Sequence, residues 1–183
     1  MDQKSSEHLA RVRHLREAFA SANERLVKRL RDADPHAVER APEGRWSAAQ
    51  IGWHVAAVNT RFAALISGDV PAAKPLPADF VVRPWEAVAG EIPRQLQAPA
   101  AAMPPPVVHQ KDAIAALEAS ALKMARAFDT LTAQRGGRIG VTSPIVGTIN
   151  LYQVGEWATA HVARHNAQAK QRLQELGSAE PGA

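Results

Sequence analysis

Three of the seven histidines in this 183-residue chain stand where a core is expected. His54 follows Ile51 by three residues and precedes Val58 by four, which places it on the apolar stripe of a helical pattern. His161 and His165 are four residues apart, so they are neighbours on one helical face. Val154 and Ala158 lie on that same face. Imidazoles on inward faces are costly to bury without partners. A divalent metal ion removes that cost, because each ring gives it one nitrogen and a third ring from a facing helix completes a triangle. Three protein ligands with one open position are the pattern of a catalytic zinc-type site, whereas structural sites are closed. Neutral imidazole suits zinc, nickel, copper and iron(II) alike, so the ligands do not select the metal. A lone histidine on an apolar face is ordinarily a hydrogen-bonded core residue. The convergence of three is what points to a metal. His8, His14, His36 and His109 sit in polar or terminal contexts and read as solvated.

The chemistry open to such a site is bounded by what the chain lacks. A bound metal acts as a Lewis acid or lowers the pKa of water or of a thiol. There is no cysteine, so a thiol nucleophile has to come from a low-molecular-weight cofactor. Water in its place would make the protein a hydrolase. Neighbouring positions supply further candidates. Arg61 is seven residues after His54, near the same face, and is placed to hold a carboxylate of substrate or cofactor. The alternative for it is a bundle-end arginine with its head in water. Gln168 is three after His165 and is placed to orient a ligand histidine. Trp157, four before His161, reads first as a bundle aromatic, with walling a pocket as the alternative; Trp46 and Trp53 likewise read as packing. Glu156 falls about 140° round the helix from His161 and is not assigned as a base.

The elements that must position these residues are set off by proline. Nine of the 13 prolines lie between 71 and 106, and four long segments are free of it: about 3–33, 47–67, 110–133 and 148–176. Proline is excluded from helix interiors, so these segments are where helices can form. Each carries apolar residues at steps of three or four; Ile114, Leu117, Ala121, Met124, Phe128 and Leu131 are the clearest run. Thirty-seven alanines and few aromatics strengthen the helical lean. Ser47 with Gln50 forms a capping box, Thr148 is placed as the N-cap of the last helix, and Gly177 as its stop. The reading is an all-α single domain over 1–183, a four-helix bundle. The second and third helices are joined by about 42 residues, enough to run back along a helix of roughly 30 Å. That long crossover, 68–109, predicts an up-down-down-up order, with a short helix near Trp85–Val88 and a tail from 177 to 183.

Two segments resemble a known family. RWSAAQIGWHVAAV (45–58) is similar to the Trp-Ser start of the second helix in the DinB-like superfamily of metal-binding helical bundles, with a histidine seven residues after the serine. SPIVGTINLYQVGEWATAHVARHNAQAKQRL (143–173) resembles that family's Pro- and Gly-containing loop, helix start and H-x-x-x-H pair followed by Gln. The resemblance implies that His54, His161 and His165 are ligands of a nickel, zinc, manganese or iron ion. It implies thiol S-transferase, thiol-dependent isomerase or hydrolase chemistry, and a tendency to dimerise. Gln50 departs from the resemblance, since the family often has an acidic residue there, so carboxylate help to the metal is missing. The crossover matches no pattern and is where substrate choice is expected to be set.

The same chain argues against other classes. Its net charge of +4 is too small to point to nucleic acid, and Glu17, Glu24 and Asp32 interrupt the arginines of the first helix. No Glu-x-x-His pair accompanies the histidines, which disfavours a di-iron carboxylate bundle. No stretch approaches the roughly 18 apolar residues of a membrane span, and the polar start MDQKSSEHLARVRHLREAF carries no secretory pattern. The expectation is a cytoplasmic, metal-dependent protein acting on a small molecule. A non-catalytic metal- or ligand-binding bundle, stress-related in role, is the alternative.

Overall fold

The computed structural model describes residues 3–93 and 96–177. The expected tail beyond Gly177 lies outside them. The fold is mostly helical. Four long helices, α1 (Gln3–Asp32), α3 (Ala48–Ser67), α5 (Gln110–Asp129) and α7 (Leu151–Gly177), fall in the four proline-free segments. Three short ones are interspersed: α2 (Pro35–Glu39), α4 (Trp85–Gly90) and α6 (Ala133–Arg138). No helix among the described residues is long and apolar enough to cross a membrane.

Local chemistry explains where these helices begin and end. At α3, the Ser47 hydroxyl accepts from the Gln50 backbone N–H and the Gln50 side-chain oxygen accepts from the Ser47 N–H, so two orphan donors are satisfied. The helix closes on Gly68 in the left-handed region, where a side chain would be strained. At α2, Asp34 caps the Ala37 N–H and Pro35 supplies a preset first turn.

The long helices pack in definite senses. Arg11 pairs with Glu156 and Arg29 with Asn166, so α1 and α7 run parallel. Arg16 pairs with Asp129 and Arg31 with Glu118, so α1 and α5 run antiparallel. Gly52 sits against Ala113 and Leu117, and Asn59 bonds Ser120, so α3 and α5 run parallel. His54 meets His165 while Phe62 meets Trp157, so α3 and α7 run antiparallel. Leu15, Phe19, Leu26, Leu30, Ile66, Leu117, Met124 and Phe128 fill the space between them, each buried.

The fold departs from purely helical. A three-stranded antiparallel sheet, β1 (Lys74–Pro75), β2 (Ile139–Ser143) and β3 (Gly147–Asn150), joins the crossover to the segment before α7. The expected N-cap Thr148 is consumed by β3, where its hydroxyl bonds that of Thr142 at 2.9 Å. The cap of α7 is Asn150, which exchanges reciprocal bonds with Gln153 at 3.0 and 3.2 Å. His8 is not solvated either: its Nδ1 lies 2.6 Å from the Tyr152 hydroxyl. The Tyr152 ring in turn lies over Gly136 of α6, where an added Cβ would come within 2.2 Å of it.

Candidate metal centre

His54 projects from the middle of α3, and His161 and His165 from the middle of α7, onto the seam where these helices cross antiparallel. Their ring centroids lie 4.3 to 5.3 Å apart. One ligand atom from each lies within 4.8 Å of the other two, so this group can hold a metal ion. Trp46 packs on His54 at 5.0 Å between centroids, and Phe62 on His161 at 6.2 Å. Aromatic rings therefore pack beside two of the imidazoles, and His54 is buried while His161 and His165 are half-buried.

One ring is fixed in a single protonation form. The Nδ1 of His54 lies 2.8 Å from the Ala102 carbonyl oxygen. A carbonyl can only accept, so Nδ1 carries the proton and Nε2 keeps its lone pair. Such a bond on the outer nitrogen orients a metal-ligating histidine and raises its basicity. Ala102 ends a single 3-10 turn, Ala100–Ala102, in the crossover. Sequence reasoning missed it, because a backbone carbonyl of alanine carries no signal in residue type.

The other two rings carry an unmet need. The Nδ1 atoms of His161 and of His165 are buried without a hydrogen-bond partner. Burial pushes the His161 pKa well below its ordinary value, and neighbouring His165, His54 and Arg164 push the same way. Burial also brings His165 down to about 4; His54 and Arg164 add to the drop, and the Gln168 side chain opposes it. Burial lowers His54 as well, against the pull of the Ala102 carbonyl. All three imidazoles are thus neutral at pH 7, the state a metal ligand must have. Two orphaned ring nitrogens among three neutral donors fit a divalent ion.

The other expected residues divide. Trp157 is half-buried and packs on Phe62 at 5.3 Å, in the wall beside His161. Gln168 is exposed but acts on His165. Arg61 is exposed on α3. Gln50 is turned away from the imidazoles: its side-chain N–H groups donate to the Pro105 and Pro106 carbonyls, both at 2.9 Å. Glu156 faces α1 and pairs with Arg11 at 3.2 Å. Burial raises its pKa, Arg11 opposes that, and Glu86 adds to it.

Known proteins place the chain in a family. A comparison with curated proteins finds no match. A family model of the DinB superfamily matches residues 12–169, a span that takes in the first motif segment, the second as far as residue 169, all three histidines and the crossover. The chain belongs to the DinB superfamily.

Proposed function

We propose that this protein is a metal-dependent enzyme in which His54, His161 and His165 hold one divalent ion. Its four long helices read as an up-down-down-up bundle built to bring these residues together. The observation that carries the reading is the pair of buried, unpartnered imidazole nitrogens on α7, facing a third imidazole whose outer nitrogen is already bonded. When bound, the ion supplies Lewis acidity and an open position for a low-molecular-weight thiol or for water. The chain supplies the rest. His54 offers a fixed tautomer, and Trp46, Phe62 and Trp157 supply apolar surface beside the imidazoles. Because the chain has no thiol of its own, group transfer to sulfur needs a thiol co-substrate. The reaction class is thiol S-transfer or hydrolysis on a small electrophilic substrate.

Elemental analysis of tag-free protein purified without chelator tests this, with His54→Ala and His161→Ala beside it. We expect a near-stoichiometric transition metal in the parent and little in either variant. That metal then sets the conditions for turnover assays on electrophiles, with and without added thiols. A parent that is empty and takes up no metal on reconstitution would overturn the proposal.

A further inference from the structure

Two glutamines tie the crossover to the two helices that bear the histidines. Each is the third residue of its helix, and each uses its side-chain oxygen in a capping box. That leaves the amide N–H groups free to reach outwards. Gln153 of α7 donates to the Arg83 carbonyl at 2.8 Å, in the first half of the crossover. Gln50 of α3 donates to the Pro105 and Pro106 carbonyls near its end. Both glutamines are buried, at 1% and 8% exposure, so their amides have little access to water in place of these carbonyls. Only Met103 and Pro104 separate the prolines held by Gln50 from Ala102, whose carbonyl fixes His54. Proline holds φ near −65°, so a short proline run transmits position with little slack.

We propose that Gln50 is a positioning residue for the three-histidine site. It anchors the Pro104–Pro106 run, the run places the Ala102 carbonyl, and that carbonyl holds His54 with its proton on Nδ1 and Nε2 free. The Gln50 side chain bonds the Ser47 N–H and the Pro105 and Pro106 carbonyls, not an imidazole, and acts on the site through the crossover backbone. The consequence for metal affinity rests on the proposed metal centre; the consequence for the His54 ring does not.

The test uses three full-length variants. Gln50→Glu keeps an oxygen for the Ser47 N–H and loses both amide donors. A glycine inserted between Met103 and Pro104 leaves α3 untouched and uncouples Ala102 from the anchored prolines. Ser47→Ala removes the cap hydroxyl and leaves the Gln50 amide in place. Long-range proton–nitrogen NMR on metal-free protein reads the His54 tautomer, and chelator competition with Zn(II) reads affinity. We expect the first two variants to lose the single Nδ1–H form and to bind zinc tenfold or more weakly, the range seen when outer-shell partners of ligand histidines are removed. Ser47→Ala is expected to melt earlier with tautomer and affinity unchanged. Folded Gln50→Glu or insertion protein that keeps the parental tautomer would overturn the proposal, whatever its melting temperature. If Gln50→Glu does not fold, the insertion variant decides. A parent that binds no zinc, with the tautomer still lost in the variants, would sink the metal centre and leave the positioning role standing.

Discussion

A proton and a metal ion compete for the same lone pair on an imidazole, and burial has already biased that contest against the proton. The three histidines have folded-state pKa values below the ordinary 6.5, with His165 at about 4. Between those limits the unfolded chain binds more protons than the fold does. Stability of the metal-free protein therefore rises with pH from about 4 to about 6.5, and is lost as pH falls through that window. Urea midpoints of metal-free protein at pH 7.5, 6 and 5 check this. We expect a steady fall, shallower in His161→Asn, and an equal slope in parent and variant would contradict it. The histidines were legible in the sequence because helical spacing alone puts them on buried stripes. The Ala102 carbonyl was not, since it is a main-chain atom 48 residues from His54 and only the tertiary fold brings it there. Gln50 was legible as a cap, but its two outward bonds depend on where the prolines return.

Among the elements, the long helices followed from proline-free, periodic segments, and the small ones did not all follow. Asp34-Pro35 is itself a helix start signal, an acidic cap before proline at the first position, and could have disclosed α2. The strands are a different matter. β2 and β3 have five and four residues, and Pro144 between them and Gly147 at the start of β3 read as loop. Their pairing, with β1 joining from the distant crossover, defines them more than their composition does. Because β3 keeps the chain extended to Asn150, the cap of α7 falls there and not at Thr148. Asn150→Ala is expected to cost about 1 kcal/mol in urea unfolding, and Thr148→Ala less, since its hydroxyl bonds only the exposed Thr142. Gly136→Ala tests the packing of α6 on α7. Its Cβ needs the space of the Tyr152 ring, so we expect a loss of 1 kcal/mol or more, in the range of overpacked cores, and displacement of the ring from His8. An unchanged melting temperature would show that the ring moves freely.

Across the whole molecule, the parallel run of α3 and α5 obliges the chain to return along its own length, and the crossover is that return. Closing a flexible loop costs free energy that grows only with the logarithm of its length, so even a doubling adds about 0.6 kcal/mol. The crossover is pinned at intervals: β1 against β2, Leu76 and Ala78 at Arg138, Arg83 at Val146 and Gln153, Val88 in the core, the Pro93 carbonyl at Arg164, Ala102 at His54, and Pro105 and Pro106 at Gln50. Between those pins it is largely exposed, Val81 at 78%. Four glycine or serine residues inserted after Val81 are expected to shift the unfolding free energy by less than about 1 kcal/mol and to leave metal content unchanged. The helices and the exposed part of the crossover around Val81 are therefore under separate constraints, whereas the Ala102–Pro106 stretch shares the constraint of the site. A lineage carrying this fold can lengthen, shorten and recompose the exposed stretch around Val81 while the turn that holds His54 and the ligand set stay fixed.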